Sequence, residues 1–243
     1  MSGIQCSFQR CEKKYFLTPA QQQTLLAVMA DHTRRDVYGE YTICSTYYDT
    51  EDWRLIRASI EKPAYKEKLR MRSYGTPAEN GRVFAELKKK CGGVVYKRRI
   101  TTSPARAEAL LARRLPGAAF GQIGSELEWF CRRYRPQPRV YIAYDRLAYA
   151  GIDDPDLRIT FDTHIRWRTE QPELRCGDWG QPLLPDDRVL LELKLPGACP
   201  LWLSHALSDI GAYPVSFSKY GYCYKEYILP TLQNNKKEAQ HCA

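Results

Sequence analysis

The chain has 243 residues, enough for one large domain or two small ones with a substantial core. Its 44% apolar and 27% charged residues are ordinary for a folded protein, and the net charge of +9 points to an anionic partner: nucleic acid, an anionic membrane or a phosphate-rich small molecule. No apolar run of about 18 residues is present, so no transmembrane segment is expected. Nine cysteines without a Cys-x-x-Cys pair argue against a zinc ribbon, and with no secretory leader read they are expected to be reduced thiols in a cytoplasmic protein.

In chain order, Gln9 to Leu17 reads as a strand. Thr18-Pro19-Ala20-Gln21 then has an N-cap Thr, a Pro at the first helical position and a Gln three residues after the cap, which predicts a helix through about Arg34. Tyr41 to Asp49 is β-branched and aromatic and predicts a strand, followed by a short helix to about Glu61. A three-stranded meander follows: Tyr65 to Tyr74, Val83 to Lys90, and, after a tight Gly92-Gly93 turn, Val94 to Thr102. Ser103-Pro104 opens a helix through about Arg114, and Ile123 to Tyr134 is a further helix. Strands are expected at Arg139 to Tyr149, Leu157 to Asp162 and Val189 to Leu195, with a loop over Gln171 to Asp187. Helices are expected at 200–210 and from Lys219 to about Leu229. The expectation is one α+β domain over 1–232 built on a large antiparallel sheet, with a polar, disordered tail at 233–243.

The informative pattern is charge at every second position. Lys66, Lys68, Arg70 and Arg72 show it first, then Glu86, Lys88 and Lys90, then Lys97 and Arg99, and finally Glu192 and Lys194 within a run of leucines. A strand sends alternate side chains to opposite faces, so each segment projects its charges to one side and its apolar residues to the other. For any one segment this is ordinarily the solvated face of an antiparallel sheet, and that reading is kept for Lys66 and Lys90. Taken over all segments, the recurrence of a Glu two positions before a Lys (Glu12 and Lys14, Glu86 and Lys88, Glu192 and Lys194) argues instead for a cationic chamber with a few carboxylates, suited to a polyanion and a divalent metal. The chain has no phosphate-loop or dinucleotide fingerprint, no kinase catalytic loop and no metal-spaced histidines. Phosphate chemistry must then rest on Lys and Arg with a carboxylate-held ion, and oxygen ligands suit Mg²⁺ or Mn²⁺.

An ordered set of motifs carries a resemblance. Arg10-x-Glu12-x-Lys14-Tyr15, Tyr47-Tyr48-Asp49, Lys68-Leu69-Arg70-Met71-Arg72-x-Tyr74-Gly75, Phe84-Ala85-Glu86-Leu87-Lys88 and Val95-x-Lys97-x-Arg99 begin it. Tyr144-Asp145-Arg146-x-Ala148-Tyr149, Arg158-Ile159-Thr160-x-Asp162, Leu191-Glu192-Leu193-Lys194 and Phe217-Ser218-Lys219-Tyr220 complete it. From about residue 7 to 230 the chain resembles the VTC domain of vacuolar transporter chaperone polyphosphate polymerases, in the triphosphate tunnel metalloenzyme superfamily. The resemblance implies an antiparallel β-barrel tunnel with helices outside and a C-terminal helix, a divalent metal, and transfer of the γ-phosphoryl group of ATP to inorganic polyphosphate. Relatives hydrolyse triphosphate, cap RNA ends or cyclise ATP. The hydrolytic branch begins with Glu-x-Glu-x-Lys; Arg10 in place of the first Glu favours the polymerase branch.

Phosphoryl transfer has a loose transition state, so catalysis is mainly positioning and electrostatics. On that basis Lys14, Arg70, Arg72, Lys88, Arg146 and Lys219 are assigned catalytic roles, and Lys68, Lys97, Arg99 and Lys194 the remaining phosphate contacts. Lys219 stands at a predicted helix start, where backbone N–H groups also favour an anion. Glu192 is the first metal ligand, Glu86 the second, and Asp162 a further candidate or the partner of a nearby cation. Glu12 is read as binding metal, orienting Lys14, or both. ATP and inorganic polyphosphate are the expected partners and nucleic acid is not; a separate membrane partner and the oligomeric state are left open. The alternatives are a triphosphatase on the same fold and a non-catalytic binder of polyphosphate or RNA.

Overall fold

The structure is a computed structural model that describes residues 11–61, 63–92 and 94–234. Arg10, on which the branch argument turned, and the tail from residue 235 lie outside the described residues.

The strands are β1 (Cys11–Leu17), β2 (Thr33–Asp49), β3 (Tyr65–Tyr74), β4 (Val83–Cys91), β5 (Val94–Thr102), β6 (Gln137–Gly151), β7 (Arg158–Arg168), β8 (Gln181–Pro182) and β9 (Val189–Leu195). The helices are α1 (Pro19–Met29), α2 (Arg54–Ile60), α3 (Pro104–Leu111), α4 (Gly121–Tyr134), α5 (Leu201–Asp209) and α6 (Lys219–Cys223). All nine strands belong to one antiparallel sheet in the order β1-β9-β7-β6-β2-β3-β4-β5, with β8 paired to β7. Among the described residues no ladder joins β1 to β5, so the fold is an α+β fold on a nine-stranded sheet without a detected barrel closure.

The chain divides into two compact units, with β2, β6 and β7 running through both. The first takes in the segments ending at Thr42, Tyr144–Ile165 and Leu184–Phe217. Here β1 pairs with β9, and β9 with β7. Period-two alternation sends Tyr15, Leu17, Leu191, Leu193, Ile159 and Phe161 to one face, where they pack on Leu25 and Met29 of α1 and Leu203 and Leu207 of α5. The second unit takes in Ile43–Ala143, Arg166–Leu183 and the chain from Ser218 on. Its ladder is β2-β3-β4-β5, and Leu69, Met71, Ala85, Leu87 and Ile100 pack on Ala107 and Leu110 of α3 and Leu127 and Phe130 of α4. At about 1.5–3 kcal/mol per fully buried large aliphatic or aromatic side chain, burial of these faces outweighs the charge crowding on their reverse sides. Each unit therefore has one helix-covered apolar face and one polar face.

Several boundaries differ from those expected. The capping box at Thr18 forms, with Gln21 Oε1 accepting from the Thr18 N–H at 2.8 Å, but α1 stops at Met29 rather than near Arg34. Beyond Met29 the sequence offers no apolar side chain to continue the buried stripe, and the Thr33 hydroxyl donates to the Met29 carbonyl at 2.9 Å. Strand β2 accordingly begins at Thr33, eight residues before the expected start at Tyr41. Helix α3 ends at Leu111, not near Arg114, and Ser103 caps it without a side-chain hydrogen bond. Strand β7 runs on to Arg168, past a left-handed residue at His164. After α6 the backbone widens into a π-helical turn, Tyr224–Ile228, which sets Tyr224 against Trp53 and Tyr227 against Trp167. No helix among the described residues is long and apolar enough to cross a membrane.

Candidate functional site

The polar face of the second unit gathers the larger set of expected residues. Ladder register arranges them in rows across β2, β3, β4 and β5. Ser45, Arg72, Phe84 and Thr101 form one row; Tyr47, Arg70, Glu86 and Arg99 the next; Lys68, Lys88 and Lys97 the third; Lys66 and Lys90, with Val95, the fourth. Eight cations thus share this face with one carboxylate, Glu86. Directly opposed residues in a ladder have Cβ atoms only about 4.5–5.5 Å apart, and like charges so placed are destabilising. Three lysines side by side are therefore a feature the fold alone does not ask for.

Glu86 is the counter-ion of this face. It is 2% exposed. Its Oε2 accepts from Arg70 Nε at 2.7 Å, and Lys97 Nζ forms an ion pair with Oε1 at 2.8 Å. Burial pushes the Glu86 carboxyl up, but Arg70, Arg72 and Lys97 outweigh it and bring it down to about 2. Burial lowers the Lys97 ammonium, an effect that Glu86 opposes and the neighbouring Arg70 and Arg72 reinforce. The Arg99 guanidinium lies over the Phe84 ring at 4.8 Å. Lys66 Nζ reaches back to the Ser59 carbonyl at 3.2 Å.

One edge of the same unit is fixed by Asp49, which is wholly buried. Its carboxylate accepts from the backbone N–H groups of Thr50, Leu55 and Ile56 and from the Tyr220 hydroxyl at 2.8 Å. Tyr47 stacks on Tyr220 at 4.6 Å, and its hydroxyl lies 3.5 Å from Arg70 Nη1. Asp49 thereby ties β2, the first turn of α2 and α6 together. Lys219 is the first residue of α6, whose N-cap Ser218 accepts from the Gly221 N–H and from Lys68 Nζ at 3.3 Å.

The polar face of the first unit holds the rest. Glu12 is in register with Lys194, and Lys14 with Glu192, so β1 and β9 present a checkerboard of alternating sign. The short contacts run along each strand: Lys14 to Glu12 at 3.1 Å and Lys194 to Glu192 at 3.3 Å. Lys14 Nζ also donates to the Phe217 carbonyl at 3.1 Å. Arg146 grips Asp162 bidentately at 2.6 and 2.8 Å, and its Nη2 lies 4.0 Å from Glu192. Burial works against the charge on Arg146, but Tyr144, Asp162 and Glu192 outweigh it and raise its pKa further.

The structure thus places Lys68, Arg70, Arg72, Lys88, Lys97, Arg99 and Glu86 together on one face, with Lys219 on α6 of the same unit. It places Glu12, Lys14, Arg146, Asp162, Glu192 and Lys194 in the other unit. Arg158 was left out of the expected set, yet it is in register with Lys194. The alternation Arg158, Thr160, Asp162 was the signal for it. Asp49 was quoted as part of a motif but given no role, because its partners come from α2 and from Tyr220, 171 residues away.

Among the described residues no three His, Cys, Asp or Glu side chains converge. A Mg²⁺-type ion needs only one or two carboxylates when substrate phosphates complete its shell. Glu192, 9% exposed, and Glu12 supply hard oxygen donors on one face and fit that demand. All four acids are ion-paired, Glu12 and Glu192 to the part-exposed Lys14 and Lys194, Glu86 and Asp162 to closer cation contacts at 2.6–2.8 Å, so an ion at any of them would have to take the place of a cation.

Residues 9–228 match the profile of the VTC domain. The protein belongs to the VTC domain family. A candidate adenylate cyclase from Vibrio parahaemolyticus is similar in structure, with 14% identity, a TM-score of 0.52, and coverage of 90% of this chain and 98% of its own. A candidate adenylyl cyclase from Hippeastrum, with a dominant triphosphatase activity, has 16% identity and a TM-score of 0.47 over 86% of this chain and 92% of its own. A Pyrococcus horikoshii OT3 protein has 11% identity and a TM-score of 0.44 over 87% and 95%. At these identities the likeness is one of fold, carried by the first of the three. No curated protein sequence matches the chain.

Proposed function

We propose that the protein is a metal-dependent polyphosphate polymerase that transfers the γ-phosphoryl group of ATP to inorganic polyphosphate. The observation that carries this reading is the Lys68-Lys88-Lys97 row beside Arg70, Arg72 and Arg99, in a chain of the VTC domain family. Such a row is costly without an anion and favourable with one. Closure of the sheet into a tunnel is the finer expectation that goes with it.

Roles are assigned on each face by itself. In the second unit Lys68, Lys88 and Lys97 act as point charges on phosphate oxygens, while Arg70, Arg72 and Arg99 offer forked, permanently charged contacts. Glu86 spaces Arg70 and Lys97 and pairs with both. Lys219 adds a cation from α6. In the first unit Lys14, Lys194 and Arg146 are the phosphate contacts, and Glu192 with Glu12 would hold a Mg²⁺ or Mn²⁺ ion. When bound, that ion neutralises charge on phosphate oxygens. The chain supplies orientation and electrostatic stabilisation, and no side-chain nucleophile is needed.

The test is incubation with ATP and Mn²⁺. The expected product is a chain that a polyphosphate-specific exopolyphosphatase digests, and Lys88→Met should lower kcat/KM by about 10- to 100-fold, the range of one charge-assisted hydrogen bond. Release of orthophosphate from triphosphate without chain growth would make the protein a hydrolase instead. A non-catalytic binder would show no turnover, and its Glu192→Gln variant would hold polyphosphate as tightly as before.

A further inference from the structure

The polar face of the second unit is not uniform along its strands. One end is all lysine: Lys68, Lys88 and Lys97, then Lys66 and Lys90. The centre is Arg70, Glu86 and Arg99. The other end carries aromatic rings. Phe84 stands between Arg72 and Thr101, part-buried, and the ring of Tyr74 meets it edge-on at 5.8 Å and 84°. Tyr74 is 57% exposed. The Arg99 guanidinium is stacked over Phe84. Tyr47, the other aromatic residue on these rows, is already covered by Tyr220.

This gradient has a chemical match. Successive rows are two residues apart, about 6.7 Å along the strand, so the Phe84 row and the Lys88 row are about 13 Å apart with the arginine row between them. That is roughly the reach of an extended nucleoside triphosphate from its base to its last phosphate. Aromatic rings and a guanidinium plane stack on any base, while arginine and lysine take the phosphates. We infer that Tyr74 and Phe84 form a stacking shelf for the base of the donor nucleotide, which lies with its phosphates directed past Arg99 toward the lysine row. The inference rests on the reading of this face as the phosphate site. It adds a direction to the substrate and names the residues that separate a nucleotide from a bare phosphate chain.

The shelf predicts a split between two ligands that carry the same phosphates. Isothermal titration calorimetry of the full chain without metal, so that no turnover occurs, compares ATP with tripolyphosphate. Tyr74→Leu and Phe84→Leu should each weaken ATP by about tenfold, the order of one stacked base, and leave tripolyphosphate within about twofold. Phe84→Tyr should retain ATP, because a ring is kept. Lys88→Met should weaken both ligands. Equal losses for ATP and tripolyphosphate in the leucine variants, or no loss for ATP, would overturn the shelf while leaving the phosphate face standing. Binding of tripolyphosphate but not ATP by the unaltered protein would do the same. Binding of neither would overturn the phosphate face itself, and the shelf with it.

Discussion

Glu86 shows how one buried side chain sets the character of a surface. Its carboxyl is held at about 2 by Arg70, Arg72 and Lys97 against the opposing effect of burial. A carboxylate with a depressed folded-state pKa contributes stability above its unfolded value, near 4.5, and loses it as pH falls through the folded value. The contribution is up to about 3 kcal/mol, from a depression of roughly 2.5 units at about 1.36 kcal/mol each. Glu86→Gln leaves the neighbouring cations without their counter-ion, so the variant should be less stable than the parent at pH 7 by about 3 kcal/mol. Urea denaturation should find that difference shrinking between pH 4.5 and 2. A constant difference across that window would mean that the carboxylate does not hold this charge balance.

The alternation of Glu86, Lys88 and Lys90 was legible because a strand has a fixed period of two, and apolar residues on the odd positions fixed which side met the helices. The Gly92-Gly93 pair in the sequence between two charged, alternating segments went far toward setting the pairing of Lys88 with Lys97, and Gly92 does take a positive φ of 53°. The pairing of Lys68 with Lys88 was not legible. It depends on an eight-residue connection from Gly75 to Arg82, whose length leaves the register open. Asp49 illustrates the same limit between elements. Nothing local in Tyr47-Tyr48-Asp49 tells that this carboxylate will cap α2 and receive the Tyr220 hydroxyl. Asp49→Ala strands three backbone donors and a buried phenol, and should cost about 3 kcal/mol or more. Tyr220→Phe should cost about 1–2 kcal/mol, and the double variant less than the sum, because the two groups share one bond. Denaturant titration of all three variants measures the coupling; full additivity would refute the link between β2 and α6.

For the folded protein taken together, the consequence of so many facing cations is a dependence on anions. Any ligand that binds the native state alone stabilises it by RT ln(1 + [L]/Kd), about 2.7 kcal/mol at a hundredfold excess over Kd. Tripolyphosphate should therefore raise the melting temperature, and sodium chloride at matched ionic strength should reproduce only the part due to screening. Equal shifts from both salts would reduce the face to a generally charged surface. The family identity and the sheet were readable from an ordered set of short motifs. The division of the charged residues between two compact units was not, because β2, β6 and β7 each contribute to both and no break in composition marks the change.

The Lys68-Lys88-Lys97 row also bears on how this protein can change over generations. Lys97 is tied to Glu86 and Lys68 to Ser218, but exchange of Lys88, which stands between them, for a neutral residue relieves repulsion and makes the unliganded fold more robust, while removing a contact on which the proposed activity depends. Heat tolerance and turnover then pull in opposite directions at that position. Selection for durability alone would break the row at its centre, and only continued use of a polyanion would hold it in place.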